Sequence, residues 1–172
     1  MRRTLLIAVA LVAVGIAVLI GSLVASGGSG ASSASEQDVQ RRADLWEIDQ
    51  LEKNFHRATT KKDIDLMMSL FAPNATFTFP GSTAAGKKEI RRFWLTKSKS
   101  FMPGNRWISD TPAYKVRITV NGDRGTLYFE CHYADPKTGK LAAVTAADGD
   151  VARINGRWLI TSISGASAPL TP

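Results

Sequence analysis

The sequence predicts an α+β domain carried behind an apolar N-terminal segment. Three observations predict it. An uncharged apolar run from Leu5 to Val24 follows Arg2 and Arg3. Helical periodicity then dominates the stretch from Leu45 to Trp94, and a period of two with Asn-Gly turns dominates the rest. Helices first and an antiparallel meander second is the layout of an α+β fold. The chain has 172 residues with 44% hydrophobic and 22% charged, which suits one domain and excludes disorder over the whole length.

The apolar run has the length of a spanning helix, about 20 residues, rather than the ~7–15 of a cleaved signal core. Arg2 and Arg3 place the N-terminus in the cytoplasm and the domain outside. Cleavage after the small residues that follow would instead release a secreted domain. Cys131 is the single cysteine, so neither lipidation after the apolar run nor an internal disulfide is available. Residues 1–26 are therefore read as anchor or signal segment, 27–35 as a Gly/Ser-rich linker, 36–165 as the domain and 166–172 as a tail.

Ser35 to Asp38 has the form of a capping box, and Leu45, Ile48, Leu51, Phe55 and Ala58 make the apolar stripe of a long first helix ending near Thr59–Lys62. Asp63 caps a second helix over Ile64–Phe71, which Pro73-Asn74 stops. Ala75–Phe79 is a strand. Gly86 opens a third helix carrying Ile90, Phe93 and Trp94. Strands follow over Tyr114–Val120, Leu127–Ala134, Leu141–Ile154 and Arg157–Ser164, with turns at Asn121-Gly122, Asp135–Gly139 and Asn155-Gly156. Asp148-Gly149 is either a turn that splits the third of these strands or a bulge within it.

The order of these elements resembles the nuclear transport factor 2-like superfamily, in its SnoaL-like branch. The resemblance rests on Lys62-Asp63-Ile64-Asp65 leading to Ser69–Phe77, on Gly86–Ile90 with Phe93-Trp94, and on Asn155–Ile160 in the last hairpin. It implies a cone: a curved antiparallel sheet wrapped around three helices, with an inner pocket and dimerisation through the sheet. It leaves the chemistry open, because one fold hosts isomerases, dehydratases and plain binders. Set against the ketosteroid isomerase branch, the oxyanion tyrosine falls on Phe55 and the general base on Phe79, and phenylalanine does neither job. Only the late-strand acid is retained, as Asp150. Against the scytalone dehydratase branch, Trp107 stands where the first pocket histidine would be.

Asp150 is thus the leading candidate for acid chemistry if it faces an apolar pocket, and an ordinary solvated carboxylate if it lies beside a turn. Glu130 and His132, two apart on a strand, share a face. They form either an acid/base pair or part of a polar outer surface, with Leu127, Phe129, Cys131 and Tyr133 on the core side. His56 reads as the wetter flank of the first helix. Phe55, Phe79, Trp94 and Trp107 are the expected pocket lining. Two histidines and one cysteine give no metal-ligand spacing and no cofactor motif is present, so neither metal nor cofactor is expected. The segment Lys87–Arg106 carries seven basic residues against Glu89, suited to anionic headgroups or an acidic partner; nucleic acid is not expected outside a membrane. The leading expectation is a membrane-anchored, non-catalytic binder of a small apolar molecule or an accessory module. The alternatives are an isomerase- or dehydratase-type enzyme using Asp150, and an adaptor in a membrane complex.

Overall fold

A computed structural model describes residues 29–110 and 115–168. The expected spanning segment, residues 5–24, lies outside them; within them no helix is long and apolar enough to cross a membrane.

Helix α1 covers Ser29–Lys61. It starts inside the expected Gly/Ser linker, so Ser35 is not a cap but an interior residue. Residues 34–43 are exposed, and the inward face begins at Asp44 and runs through Ile48, Leu51, Phe55 and Ala58. The buried arc also takes in Glu52, His56 and Thr59. It is wider than the apolar stripe because the sheet curls around the helix. The short helix α2 covers Ile64–Ser69, capped by Asp63, whose carboxylate accepts the Leu66 amide at 2.9 Å.

Strand β1 covers Phe71–Phe79, beginning before Pro73 rather than after it. The proline is tolerated because Pro73 and Asn74 are exposed and sit where the register against β7 shifts, between Phe71 and Thr76. Strand β2, Ser82–Ala85, pairs back on β1 and was not signalled by periodicity, being only one pleat pair long. Helix α3 covers Gly86–Thr96, and Glu89 in its first turn reaches back to accept the Ala85 amide at 2.9 Å.

The remaining strands are β3 (Ile108–Asp110), β4 (Arg117–Asn121), β5 (Arg124–Asp135), β6 (Lys140–Ile154) and β7 (Arg157–Ala168). They form one seven-stranded sheet in the order β2-β1-β7-β6-β5-β3, with β4 also paired to β5. All pairings are antiparallel except β1 with β7, which is parallel and corrects the purely antiparallel expectation. Asp148-Gly149 is not a turn: β6 runs unbroken through it. The irregularity lies one step on, where Asp150 faces Ser162 and Val151 faces Ile160, leaving Thr161 bulged from β7. A Cβ on Gly149 would sit 2.3 Å from the Ser162 carbonyl oxygen, so only glycine permits this approach of β7.

On β5, Leu127, Phe129, Cys131 and Tyr133 point inward, as the alternation predicts. They meet Ile48, Phe55, Met67, Phe71 and Ile90 in a single core. A buried carboxylate fastens α1 to the last hairpin. Asp44 accepts from Arg153, from Trp158 Nε1 at 3.3 Å and from Gln40 at 2.8 Å. Burial works against its charge, but those donors, Arg153 foremost, hold its carboxyl below the usual range.

Candidate functional site

A cavity of about 500 Å³ opens between the sheet and α3, within the ~300–1,000 Å³ typical of small-molecule sites. Its floor is made by Phe55 of α1 with Cys131 and Tyr133 of β5. Phe77 and Phe79 of β1 and Phe93 and Trp94 of α3 form one wall. Ala143, Ala146 and Ala147 of β6, small residues facing the space, leave it empty. Lys97, Lys99, Trp107 and Pro80-Gly81 surround the mouth.

The aromatic wall is held by its own packing. Phe55 stands edge-on to Trp94 at 5.4 Å and to Phe129 at 5.0 Å, Phe77 lies 4.7 Å from Phe93, and Trp94 lies 5.2 Å from Phe101. Such pairs add about 0.5–1.5 kcal/mol each beyond area burial and fix ring orientation. The cavity is therefore built before any ligand enters it. Tyr133 is buried, and that burial, with Cys131 beside it, pushes its phenol well above the usual range. At the floor it is a neutral hydroxyl, within reach of Thr145 and Ser100.

The four expected lining residues, Phe55, Phe79, Trp94 and Trp107, all line this cavity. The structure does not bring Asp150 to them. Its carboxylate is exposed, accepts the Ser162 hydroxyl at 2.7 Å, and is not part of the lining. The pocket-facing expectation for Asp150 is corrected: it sits opposite exposed Thr126 on the outer face of the sheet, and its neighbour Val151 is the one that turns into the core.

Glu130 and His132 do come together, on the face of β5 opposite the core. Glu130 meets His132 Nε2 at 2.9 Å, Lys115 at 3.1 Å and the Tyr128 hydroxyl at 3.1 Å. Partial burial opposes the charge on Glu130, but His132, Lys115 and Tyr128 keep its carboxyl below the ordinary range. Neither residue is part of the cavity lining. Their arrangement is a satisfied ionic cluster on the outer sheet surface.

The residue that sequence reasoning misplaced is His56. It is not on a wet flank but 3% exposed, beneath the cavity floor. Its Nδ1 lies 2.6 Å from Ser109 Oγ, and its Nε2 lies 3.1 Å from Glu52 Oε1 and 3.9 Å from Cys131 Sγ. Glu52 is 1% exposed, and its Oε1 has no aligned hydrogen bond, so proximity of charge rather than a directed bond joins it to the imidazole. Burial lowers the pKa of His56, but Cys131 and Glu52 outweigh it and the ring is pushed up to about 9. A signal existed: Glu52 and His56 are four apart, one step around α1 from the apolar stripe. Among the described residues no group of three or more metal-ligating side chains converges.

The geometry has close counterparts among solved structures. An NTF2-like protein with a cystatin-like fold from Novosphingobium aromaticivorans superposes with a TM-score of 0.64 at 16% identity, over 85% of this chain and 94% of that one. A protein of unknown function with a cystatin-like fold from Nostoc punctiforme gives 0.63 at 22% identity, over 76% and 95%. The hexachlorocyclohexane dehydrochlorinase LinA-type3 from Novosphingobium barchaimii gives 0.63 at 17% identity, over 78% and 93%. At these identities the likeness is one of fold. No curated protein matches the chain in sequence. The model of the SnoaL-like domain matches residues 53–159, from the second half of α1 to β7, and the chain belongs to the SnoaL-like domain family.

Proposed function

We propose that this domain binds a small, largely apolar molecule in the cavity between α3 and the sheet, without acid/base chemistry on the ligand. One observation carries the reading: the described residues that line the cavity are aromatic, aliphatic, small or hydroxylic, with Lys97 and Lys99 at the rim, and include no carboxylate and no imidazole. An apolar cavity of preset shape favours binding by burial, at roughly 25 cal/mol per Å² of apolar surface removed from water. The dehydrochlorinase shares the fold, and its activity does not transfer at 17% identity. The proposal extends to placement: residues 5–24 hold the domain outside a membrane, and two copies pair through the outer sheet face.

The test uses a medium-chain fatty alcohol brominated at its far end, because bromine quenches tryptophan on contact and Trp94 lines the cavity. The full-length chain should be quenched saturably by this alcohol. Ala147→Phe, which fills the space from β6, should leave the fold intact and weaken binding at least about tenfold. Equal quenching of both proteins would place the alcohol elsewhere and end the reading.

A further inference from the structure

We infer that the cavity selects an apolar molecule ending in an anion, which enters tail first and leaves its charge at the mouth. The inference rests on the cavity reading above and goes further by naming the ligand class. The two ends of the cavity differ in kind. Phe55, Cys131 and Tyr133 at the floor are all buried. At the mouth, Lys97 and Lys99 are exposed and are the charged residues among the described lining, both positive.

Neither lysine has a carboxylate partner among the described residues. The Lys97 ammonium donates to Ser82 Oγ at 3.1 Å, and the Lys99 ammonium lies 4.8 Å from the centre of the Trp107 ring. Elsewhere on this basic stretch Arg91 meets Asp65 at 2.6 Å and Arg92 meets Glu89 at 3.6 Å, and the other cations, Lys87, Lys88 and Arg106, lie outside the cavity lining. Two uncompensated ammonium groups therefore stand at the rim of an apolar hole, a neutral hydroxyl and a ring face holding them there. A lysine acts as a point charge without the planar fork of arginine, so the pair recognises negative charge rather than one anion geometry. A carboxylate is the simplest such group.

The experiment compares the brominated fatty alcohol with the fatty acid of the same chain length, by tryptophan quenching of the full-length chain at low salt. The acid should bind about tenfold tighter, the scale of one added charge-assisted contact. Its advantage should shrink as salt is raised, because the contact is exposed. In the double variant Lys97→Gln, Lys99→Gln the acid should fall to the affinity of the alcohol while the alcohol is unchanged. An acid no tighter than the alcohol overturns the inference and leaves the cavity reading standing. So does a double variant that keeps the acid's advantage, or one that loses both ligands alike. Absence of quenching by either ligand removes the cavity reading itself, and the inference with it.

Discussion

The two ends of the interior handle charge in opposite ways. Below the cavity floor, Glu52 and His56 are sealed in the core, and Asp44 is locked to Arg153 nearer the start of α1. At the mouth, Lys97 and Lys99 face solvent without carboxylate partners. The buried pairs spend their charge on one another and on fastening α1, so they have nothing to offer a ligand. The rim lysines contribute little to folding, so their charge is available. The contrast separates structural charge from recognition charge within one helix-and-sheet sandwich.

The largest effect should come from breaking the floor pair. Glu52→Ala leaves the buried His56 ring without its countercharge and should cost about 3–5 kcal/mol in urea denaturation of the full-length chain. The pair is not worth that much to folding, because desolvating both groups offsets most of their attraction. The double variant Glu52→Leu, His56→Leu should therefore lie within about 1 kcal/mol of the parent or above it. A double variant as unstable as the single would mean that the pair is a net stabiliser and the contrast with the rim is drawn wrongly.

A smaller, pH-dependent effect follows from the same group. The folded pKa of His56 is raised to about 9 from the ordinary imidazole value of 6.5. The stability this confers is fully present below about pH 6.5 and is lost as pH rises through about 9, on the order of 3 kcal/mol in all. Urea midpoints should fall across that window in the parent and stay nearly flat in the Glu52→Leu, His56→Leu double variant. Equal slopes in both would assign the titration to another group.

These contrasts were only partly legible in the sequence. The fold was, because its cues are local: Asp63 as a cap, Asn155-Gly156 as a tight turn with both residues at positive φ, and the strict alternation of β5. The lining aromatics were also legible, since their spacing on α1, β1 and α3 points them inward. The short strands β2 and β3 were not, because four and three residues carry no period. Nor was the burial of Glu52 and His56. Helical periodicity marks the stripe that is apolar, whereas a curled sheet buries a wider arc, and polar residues at its edge look solvated until the wrapping is seen. Asp150 failed for a different reason: its inward placement came from the resemblance, whereas the regular β5–β6 register sets it opposite exposed Thr126 and turns Val151 inward.

The smallest expected effect is at Asp150, and it tests the boundary of the site. Its carboxylate is exposed and its partner is the Ser162 hydroxyl, also near the surface. An amide oxygen in Asp150→Asn still accepts from that hydroxyl, so stability should change by less than about 0.5 kcal/mol. Affinity for the brominated alcohol and for the acid should be unchanged, because Asp150 is outside the lining and far from supplying any charge to it. A loss of binding in this variant with stability intact would show that the outer bulge of β7 communicates with the cavity. The route would be Gly149 and Ile163, which are paired across β6 and β7 while Ile163 lines the cavity. The division between a structural exterior and a recognising interior would then have to be redrawn along β7.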